Sequence, residues 1–357
     1  MLLSELTTMR VGGPARELVH ATTRDELVDA ALDVWSSGDE WLVLGGGSNV
    51  VIADEGFDGR VIHVETRGID HATDGVPRLL VQAGESWDGV VAHAIDNGLA
   101  GIEALSGIPG SAGAAPIQNI GAYGQELGSA LVAIEFLDYL SGSVLRIPAN
   151  ELGLGYRTSA LKRGRQGVVL AIELELAASA TGTVAYPQLA TALGVPLGAV
   201  VPLADIRSGV LALRASKGMV LDPGDPDSVS CGSFFTNPIV GENFARGLPS
   251  DAPRWPVAPE PAAVAVPLGE SPAPVPPSGD LVKLSAAWLI ERAGIGKGFR
   301  LPGSHAAIST KHTLAIVNRT GASAEEIAEL ARYVRARVLA QFGVLLQPEP
   351  NIIGLHV

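Results

Sequence analysis

Hydrophobic and polar positions in the first sixty residues change from the period of a strand to that of a helix and back. They predict a strand at Glu17–Ala21, a helix that starts at Thr23, and a second strand at Trp41–Leu44. Asp25 and Glu26 suit the first turn of the helix, where negative charge is favourable. The helical spacing is carried by Leu27, Val28, Ala31, Leu32 and Trp35.

Strand-like segments dominate from Arg60 onward, interrupted by helical patterns at Ser86–Asn97 and after Asn150. Such a mixture is typical of an α+β domain. The strands are predicted at Val61–Glu65, Arg78–Ala83, Leu131–Leu137, Val144–Pro148 and Val168–Leu176.

A second body is predicted to begin near Asp205. Ser323, followed three residues later by Glu326, forms a capping box ahead of its last helix. The helical patterns of this body lie at Ile206–Lys217, Lys283–Ala293 and Ala324–Phe342.

Leu248–Gly279 is rich in proline and alanine and has no hydrophobic period. Such a composition predicts an extended or disordered insertion. Two interpretations stay open, an inert surface loop and a proline-rich docking segment.

Ala104–Gly124 (ALSGIPGSAGAAPIQNIGAYG) mixes glycines with turn formers, apolar anchors and amides. Glycine lets a backbone approach a ligand without a Cβ in the way, and successive free N–H groups in a turn suit phosphate oxygens. The segment therefore predicts a loop wrapped around a diphosphate. A glycine-rich connector between strands is the alternative.

Leu42–Gly59 (LVLGGGSNVVIADEGFDG) repeats this arrangement as strand, glycine turn and strand. It lacks the helix that follows the glycines in the Rossmann pattern, and it has no Walker A lysine. We infer that a dinucleotide is bound by loops between strands. Two loops of this type in one chain are hard to explain as connectors.

These motifs resemble the UDP-N-acetylenolpyruvoylglucosamine reductase family. LGGGSN and SGIPGSAGAAPIQNIGAYG are followed, in the order typical of that family, by YRTSALK, CGSFFTNP, KLSAAWLIERAG and STKHTLAIVN. The resemblance covers nearly the whole chain. It implies the two-lobed FAD-binding fold of vanillyl-alcohol oxidase with a separate α+β substrate-binding domain, in the branch that carries an extra tyrosine loop.

The domain limits follow from this fold. We expect one FAD-binding lobe at 1–63 with 344–357 and a second lobe at 64–204. The substrate-binding domain is expected at 205–343, with the proline-rich insertion near 248–279.

The resemblance implies an oxidoreductase of peptidoglycan precursor synthesis that uses FAD and NADPH. Hydride would pass from NADPH through flavin N5 to C3 of the enolpyruvyl ether of UDP-N-acetylglucosamine enolpyruvate, giving UDP-N-acetylmuramate. The C2 carbanion is equivalent to an enolate, so the reaction needs positive charge or donors near it and a proton donor facing C2.

Three residues match the family's catalytic positions. Arg157 would stabilise the enolate, because a guanidinium stays charged and matches a carboxylate; a structural ion pair is its alternative. Glu349 would assist as a neutral carboxyl, although Pro350 and Asn351 depart from the residues usual after it. Ser233 would protonate C2; no G-x-S-x-G elbow surrounds it, so a hydrolase is not indicated.

The resemblance also assigns binding residues. Trp255 stands where a tyrosine is common, which keeps a stacking face and loses a hydroxyl. For the substrate and the nicotinamide cofactor the residues are Tyr186, Lys217, Asn237, Trp255 and Lys283. For FAD they are Gly45, Gly46, Gly47, Ser48, Asn49, Ser106, Gly107, Pro109, Gly110, Gly113, Gln118, Asn119, Gly121, Ala122 and Tyr123.

Net charge and residue composition exclude several classes of partner and site. A net charge of −13 argues against nucleic acid and anionic membranes, and one cysteine, Cys231, excludes an internal disulfide. The N-terminus lacks a secretion signal, and prolines break the apolar stretch Val184–Ile206. The seven histidines show no metal-ligand spacing in the sequence. We expect a cytoplasmic monomer with no membrane span and no catalytic metal.

Two other functions compete with the reductase. An oxidase of the same fold would act on an alcohol or sugar with O₂, but no signature of a covalent flavin histidine is present. A flavin-binding module without catalysis would act through its proline-rich segment. The presence of Arg157, Ser233 and Glu349 together argues against that loss of activity.

Overall fold

The computed structural model describes residues 1–73, 75–257 and 281–357. Its helices are α1 Arg24–Ser37, α2 Trp87–Asp96, α3 Pro187–Leu193, α4 Leu203–Ala215, α5 Glu242–Arg246, α6 Ala286–Arg292 and α7 Ala324–Phe342. Its strands are β1 Ala15–Ala21, β2 Trp41–Leu44, β3 Val50–Ile52, β4 Phe57–Val64, β5 Ile69–His71, β6 Arg78–Gln82, β7 Leu99–Ala100, β8 Gly121–Ala122, β9 Gln125–Glu126, β10 Leu131–Asp138, β11 Ser143–Pro148, β12 Gly167–Glu175, β13 Ala177–Ala178, β14 Thr181–Thr183, β15 Val200–Pro202, β16 Ile239–Gly241, β17 Arg254–Val257, β18 Leu281–Leu284, β19 Ala306–Ile308, β20 Ile316–Asn318 and β21 Asn351–Ile353.

Two sheets share a core with helix α1. One is the parallel sheet β1-β4-β2, and the other is the antiparallel sheet β11-β10-β12-β6-β5. Helix α1 begins with a complete capping box, in which the Thr23 side chain accepts from the Glu26 amide. Its buried side chains pack with residues of both sheets, among them Ile62 and Leu170. Burial of this apolar stripe holds the two sheets together.

The C-terminal body combines the antiparallel sheet β16-β18-β17, the hairpin β19–β20 and helices α6 and α7. Helix α7 starts at the predicted capping box of Ser323 and Glu326. Its core also takes in Met9, Val11 and Val51 from the beginning of the chain. The N-terminal segment is therefore packed into the C-terminal body.

The last residues return to the N-terminal part of the chain. Strand β21 lies parallel to β3, with Asn351 beside Val50, and the amide of Asn351 donates to the carbonyl of Asn49 at 2.9 Å. This pairing places the C-terminal segment against the first glycine loop.

The predicted elements agree with the structure in most segments, and two of them were wrong. The segment after Asn150 contains only a 3-10 turn at Ala149–Glu151, with no helix through residue 166. Gly153 and Gly164 have positive φ there, which breaks a helix. The predicted helix at Lys283–Ala293 begins as strand β18, and Ser285 caps α6 one residue before its first turn.

Part of the proline-rich segment is regular. Residues Arg254–Val257 form strand β17, whose pairing with β18 places Trp255 opposite Lys283. In the rest of the predicted insertion, residues 248–253 form turns and bends, and residues 258–279 lie outside the described residues. The predicted domain limits stay a prediction. In the described ranges no helix has the length and apolarity needed to span a membrane.

Asn318 ties the N-terminal segment to the C-terminal body. Its side-chain amide donates to the carbonyl of Met9 at 3.1 Å, and its oxygen accepts from the amides of Gly321 and Ala322. The residue is 6% exposed, so these groups have little access to water.

We expect Asn318→Ala to lower the melting temperature of the protein by about 5 °C, because it leaves several buried backbone groups without partners. Calorimetry or far-UV circular dichroism would measure the change. Asn97→Ala is the control, since that exposed side chain bonds only within its own helix end. Equal melting temperatures for the two variants would contradict the assignment.

Candidate active site

A cavity lies between the two glycine loops and is closed by the C-terminal body. Twelve of the residues predicted from the sequence line it. They are Gly45, Gly46, Gly47, Ser48, Asn49, Pro109, Gly110, Gln118, Gly121, Arg157, Ser233 and Glu349.

The two loops lie against each other backbone to backbone. A Cβ added at Gly46 would stand 2.8 Å from the Cα of Gly110, and one at Gly110 would stand 2.5 Å from the Ser48 Oγ. Gly110 has φ +116, a conformation that L side chains rarely adopt. Only glycine permits this close approach, and it leaves one wall of the cavity as bare backbone.

The second loop is anchored along the chain that leads into α2. The amide of Trp87 donates to the carbonyl of Gly110 at 3.0 Å, and the amide of Gly113 donates to the carbonyl of Ala83 at 2.8 Å. A Cβ at Gly113 would lie 2.6 Å from the Cβ of Ala83. The loop is therefore fixed to the antiparallel sheet.

Arg157 and Glu349 form an ion pair at the end of this cavity. Arg157 Nε lies 3.1 Å from Glu349 Oε1, and its Nη2 donates to the carbonyl of Gly121 at 2.8 Å. Arg157 itself has φ 54, as Asn119 and Tyr123 also have positive φ. A non-glycine residue is held in this region only where the surrounding contacts fix it, and such residues cluster at functional sites.

Glu349 is enclosed by donors. Its backbone carbonyl accepts from Lys162 Nζ at 2.9 Å, and its Oε1 lies 3.4 Å from Gln118 Nε2. Burial raises the pKa of Glu349, while the charges of Arg157 and Lys162 oppose that shift. Burial also lowers the pKa of Lys162. The raised pKa favours the protonated form of this carboxyl more than water would.

Ser233 is held in register with Glu349. Phe235 forms a β-bridge with Pro348, and the Glu349 amide donates to the carbonyl of Phe234 at 2.9 Å. The fully buried ring of Phe234 anchors the loop that carries Ser233 in the core. Nearby Cys231 is buried, and its pKa is raised to about 12 by burial and by the charge of Glu349. The raised pKa keeps the thiol protonated, the form that is a poor nucleophile.

Two tyrosines and a lysine cluster near Arg214, which lines the cavity. Tyr186 makes an edge contact with Tyr123, with ring centroids 5.6 Å apart, and Lys217 Nζ lies 5.5 Å from the Tyr123 ring centre. Lys217 Nζ also donates to Gln188 Oε1 at 2.9 Å. Burial raises the pKa of Tyr123 and lowers that of Lys217.

A second cluster joins Tyr156, the neighbour of Arg157, to the C-terminal body. Lys283 Nζ lies 4.7 Å from the centre of the Tyr156 ring, and Asn237 lies close to the Tyr156 hydroxyl. Asn237 in turn accepts from the Ala286 amide at 2.9 Å. Trp255 is 47% exposed on the strand beside Lys283.

Other predicted residues lie behind the cavity wall. Buried Ser106 donates to the carbonyl of Glu103, and the Gly107 amide donates to Asp88 Oδ1 at 2.6 Å. Asn119 accepts from the Gly128 amide at 2.9 Å. Among the described residues, those predicted but absent from the lining are Ser106, Gly107, Gly113, Asn119, Ala122, Tyr123, Tyr186, Lys217, Asn237, Trp255 and Lys283.

The comparisons with known proteins fit this arrangement. Residues 15–148 match the FAD binding domain, and residues 225–353 match the C-terminal domain of UDP-N-acetylenolpyruvoylglucosamine reductase. The reductase of Leifsonia xyli is 62% identical over 99% of this chain and 98% of its own, and that of Saccharopolyspora erythraea is 47% identical over 98% and 94%. The crystal structure of the Thermus caldophilus enzyme is 28% identical, with a TM-score of 0.65 over 99% of this chain and 97% of that chain.

This chain belongs to the UDP-N-acetylenolpyruvoylglucosamine reductase family. The family resemblance inferred from the motifs is confirmed, as are the fold class and the use of FAD and NADPH. The pairing of an FAD-binding part with a family-specific C-terminal part explains why the site lies where the two meet.

The residues present fit FAD. Glycine backbone at 45–47 and at Gly110 leaves the space that a diphosphate would need, and Arg214 supplies a positive charge to the same cavity. Gly45–Gly47, Ser48 and the loop around Gly110 are the groups that would hold the diphosphate.

Arg214 was missed by the sequence reasoning. It is 9% exposed, and its guanidinium donates to the carbonyls of Gly107 at 3.1 Å and Met219 at 2.9 Å. The sequence contained a pattern that could have predicted this position. Arg214 lies four residues after Val210 and eight after Ile206, on the buried face of α4. An arginine on an apolar stripe indicates a buried partner. Lys162, Ser228 and Ser230 also line the cavity and were not predicted.

We expect Gly46→Ala to weaken FAD binding by about 10- to 100-fold, because the added Cβ forces the two glycine loops apart. Fluorescence titration of the flavin-free protein with FAD would measure it. Gly296→Ala is the control, since a Cβ there meets nothing within 4 Å. Unchanged FAD affinity in Gly46→Ala would show that the contact between the loops does not shape the flavin site.

Proposed function

We propose that this chain reduces the enolpyruvyl ether of UDP-N-acetylglucosamine enolpyruvate with NADPH, and that Arg157, Ser233 and Glu349 carry the chemistry. The observation that supports these roles is the convergence of all three side chains on one cavity together with both glycine loops. The three residues come from distant parts of the chain. A chance ion pair between Arg157 and Glu349 would not bring Ser233 to the same cavity.

When bound, FAD supplies the transfer of hydride from NADPH to C3 of the enolpyruvyl group. The protein must then stabilise negative charge on the substrate carboxylate and protonate C2. These two tasks separate the roles of the three residues.

Arg157 stabilises the developing enolate. Its guanidinium stays charged at any working pH, and its contacts with Gly121 and Glu349 hold it in place before substrate arrives. Glu349 supports it from the buried side. With a raised pKa, this carboxyl can be neutral and donate a hydrogen bond. A neutral carboxyl does not repel the carboxylate of the substrate.

Ser233 delivers the proton to C2. A serine hydroxyl is a weak acid, so it needs a strongly basic partner, and an enolate carbon is one. The loop that carries Ser233 is pinned between the buried Phe234 ring and the segment of Glu349. Rigid placement makes this transfer efficient.

The clusters around Tyr123 and Tyr156 bind the rest of the substrate and the nicotinamide cofactor. Lys217 and Lys283 offer cations to diphosphate groups, while Tyr186 and Trp255 are partly exposed aromatic surfaces that can cover a ring. Asn237 links the two sides through Tyr156. The remaining predicted residues behind the wall shape the FAD site indirectly.

The cellular setting completes the proposal. We propose that the protein acts as a cytoplasmic monomer. We also propose that it has no nucleic-acid or membrane partner, which its net charge of −13 supports. The proposed domains are residues 1–63 with 344–357, 64–204 and 205–343.

An anaerobic absorbance trace distinguishes the reductase from an oxidase of the same fold. NADPH should bleach the flavin band, and UDP-N-acetylglucosamine enolpyruvate should then restore it without O₂. Restoration by O₂ alone would support the oxidase instead.

Ser233→Ala should leave flavin reduction by NADPH nearly unchanged and slow substrate-dependent reoxidation by about 10²- to 10⁴-fold, because only the second step needs the proton. Stopped-flow absorbance resolves the two steps. Thr236→Ala is the control, since that hydroxyl lies outside the cavity lining and faces the Gln347 carbonyl. An unchanged reoxidation rate would remove Ser233 from the mechanism.

Glu349→Gln tests the raised pKa of this carboxyl. A group with a raised pKa in the folded state binds its proton more tightly there than in the unfolded chain, so its stabilising contribution is complete below about pH 4.5 and is lost as pH rises through the folded pKa. The wild type should therefore lose stability relative to Glu349→Gln as pH rises above about 4.5. The loss should be about 1.4 kcal/mol for each tenfold difference in proton affinity between the folded and the unfolded chain.

Melting temperatures of both proteins across this pH range would measure the loss. Glutamine keeps the shape of the side chain and cannot titrate, so it isolates the effect of the proton. A difference in stability that does not change with pH would contradict the raised pKa.

A further inference from the structure

Two histidines and a glutamate meet on the parallel sheet, away from the cavity. The register of β1 with β4 places His20 directly beside His63, and Glu65 follows two residues later. His20 Nδ1 lies 3.4 Å from His63 Nδ1 and 2.8 Å from Glu65 Oε2, and His63 Nδ1 lies 3.6 Å from the same oxygen. Three ligand atoms of the types that bind zinc therefore converge on one point.

These separations match those in a zinc site. Zinc–nitrogen bonds of about 2.0–2.1 Å and zinc–oxygen bonds of about 2.0–2.2 Å in a tetrahedron place neighbouring ligand atoms roughly 3.3–3.5 Å apart. The distances of 3.4 Å and 3.6 Å need almost no adjustment. The 2.8 Å hydrogen bond between His20 and Glu65 must lengthen, and both of these side chains are partly exposed and free to adjust.

The surroundings suit a bound ion. The His63 ring also faces the backbone of Gly45, the kind of partner that fixes the orientation of a metal-binding imidazole. Side-chain exposures of 40% for His20 and 35% for Glu65 leave a path from solvent and room for a water ligand. The nearby Arg67 guanidinium is turned toward Glu85 and the Gly84 carbonyl. None of the three ligands lines the cavity.

We propose that His20, His63 and Glu65 bind one Zn²⁺ ion, with water as the fourth ligand. The ion would tie β1 to β4 directly behind the first glycine loop. A second histidine pair, His71 and His93, has facing nitrogens 2.9 Å apart, but in the described part of the chain no carboxylate joins it. That pair serves as the internal comparison.

Isothermal titration of the chelator-treated, FAD-loaded protein with ZnCl₂ tests the site. One equivalent should bind, and His20→Ala and Glu65→Gln should each weaken binding by at least about tenfold. His71→Ala should bind zinc as the wild type does. Titration with Co²⁺ should give the intense visible absorption of a tetrahedral site in the wild type and lose it in both ligand variants.

Both variants change partly exposed side chains, and the flavin spectrum reports that each has folded. No saturable zinc binding by the wild type would overturn the proposal. Equal affinity in the wild type, His20→Ala and Glu65→Gln would overturn it as well.

Discussion

The parallel pairing of β21 with β3 is the interaction on which the site depends. It returns the C-terminal segment across the whole molecule and sets Asn351 beside Val50. Without it, Glu349 would not reach Arg157, and the Ser233 loop would lose the strand partner that fixes its register. The backbone hydrogen bonds of a short parallel ladder thus decide which side chains share the cavity.

A second constraint is the close contact between the two glycine loops. Gly46 and Gly110 approach until no Cβ fits between them, and backbone replaces side chains on that wall. The wall belongs to an FAD-binding part, while the three proposed catalytic residues come from loops and the C-terminus. A rigid flavin platform and a separately supplied set of catalytic groups are consistent with the two matched families.

Local sequence patterns predicted the secondary structure correctly where local interactions dominate. Helix α7 begins at its capping box and ends at Gly343 in a left-handed conformation, as its residues dictate. Local patterns failed after Asn150, where the predicted helix does not form. Glycines with positive φ interrupt it, and Ser159 Oγ donates to the distant Ile117 carbonyl instead. At Lys283, pairing with β16 and β17 overrides the helical period, because a strand on both sides satisfies its backbone.

The sequence by itself determined the family, the glycine loops and the three proposed catalytic residues, because short motifs in a fixed order carry that information. Only the tertiary structure decided which residues line the cavity, why Arg214 enters it, and how Glu349 acquires a raised pKa. It also decided the meeting of His20 with His63, which lie 43 residues apart and show no spacing of a metal site. Contacts of this kind arise from strand register, and register is set by packing across the whole chain.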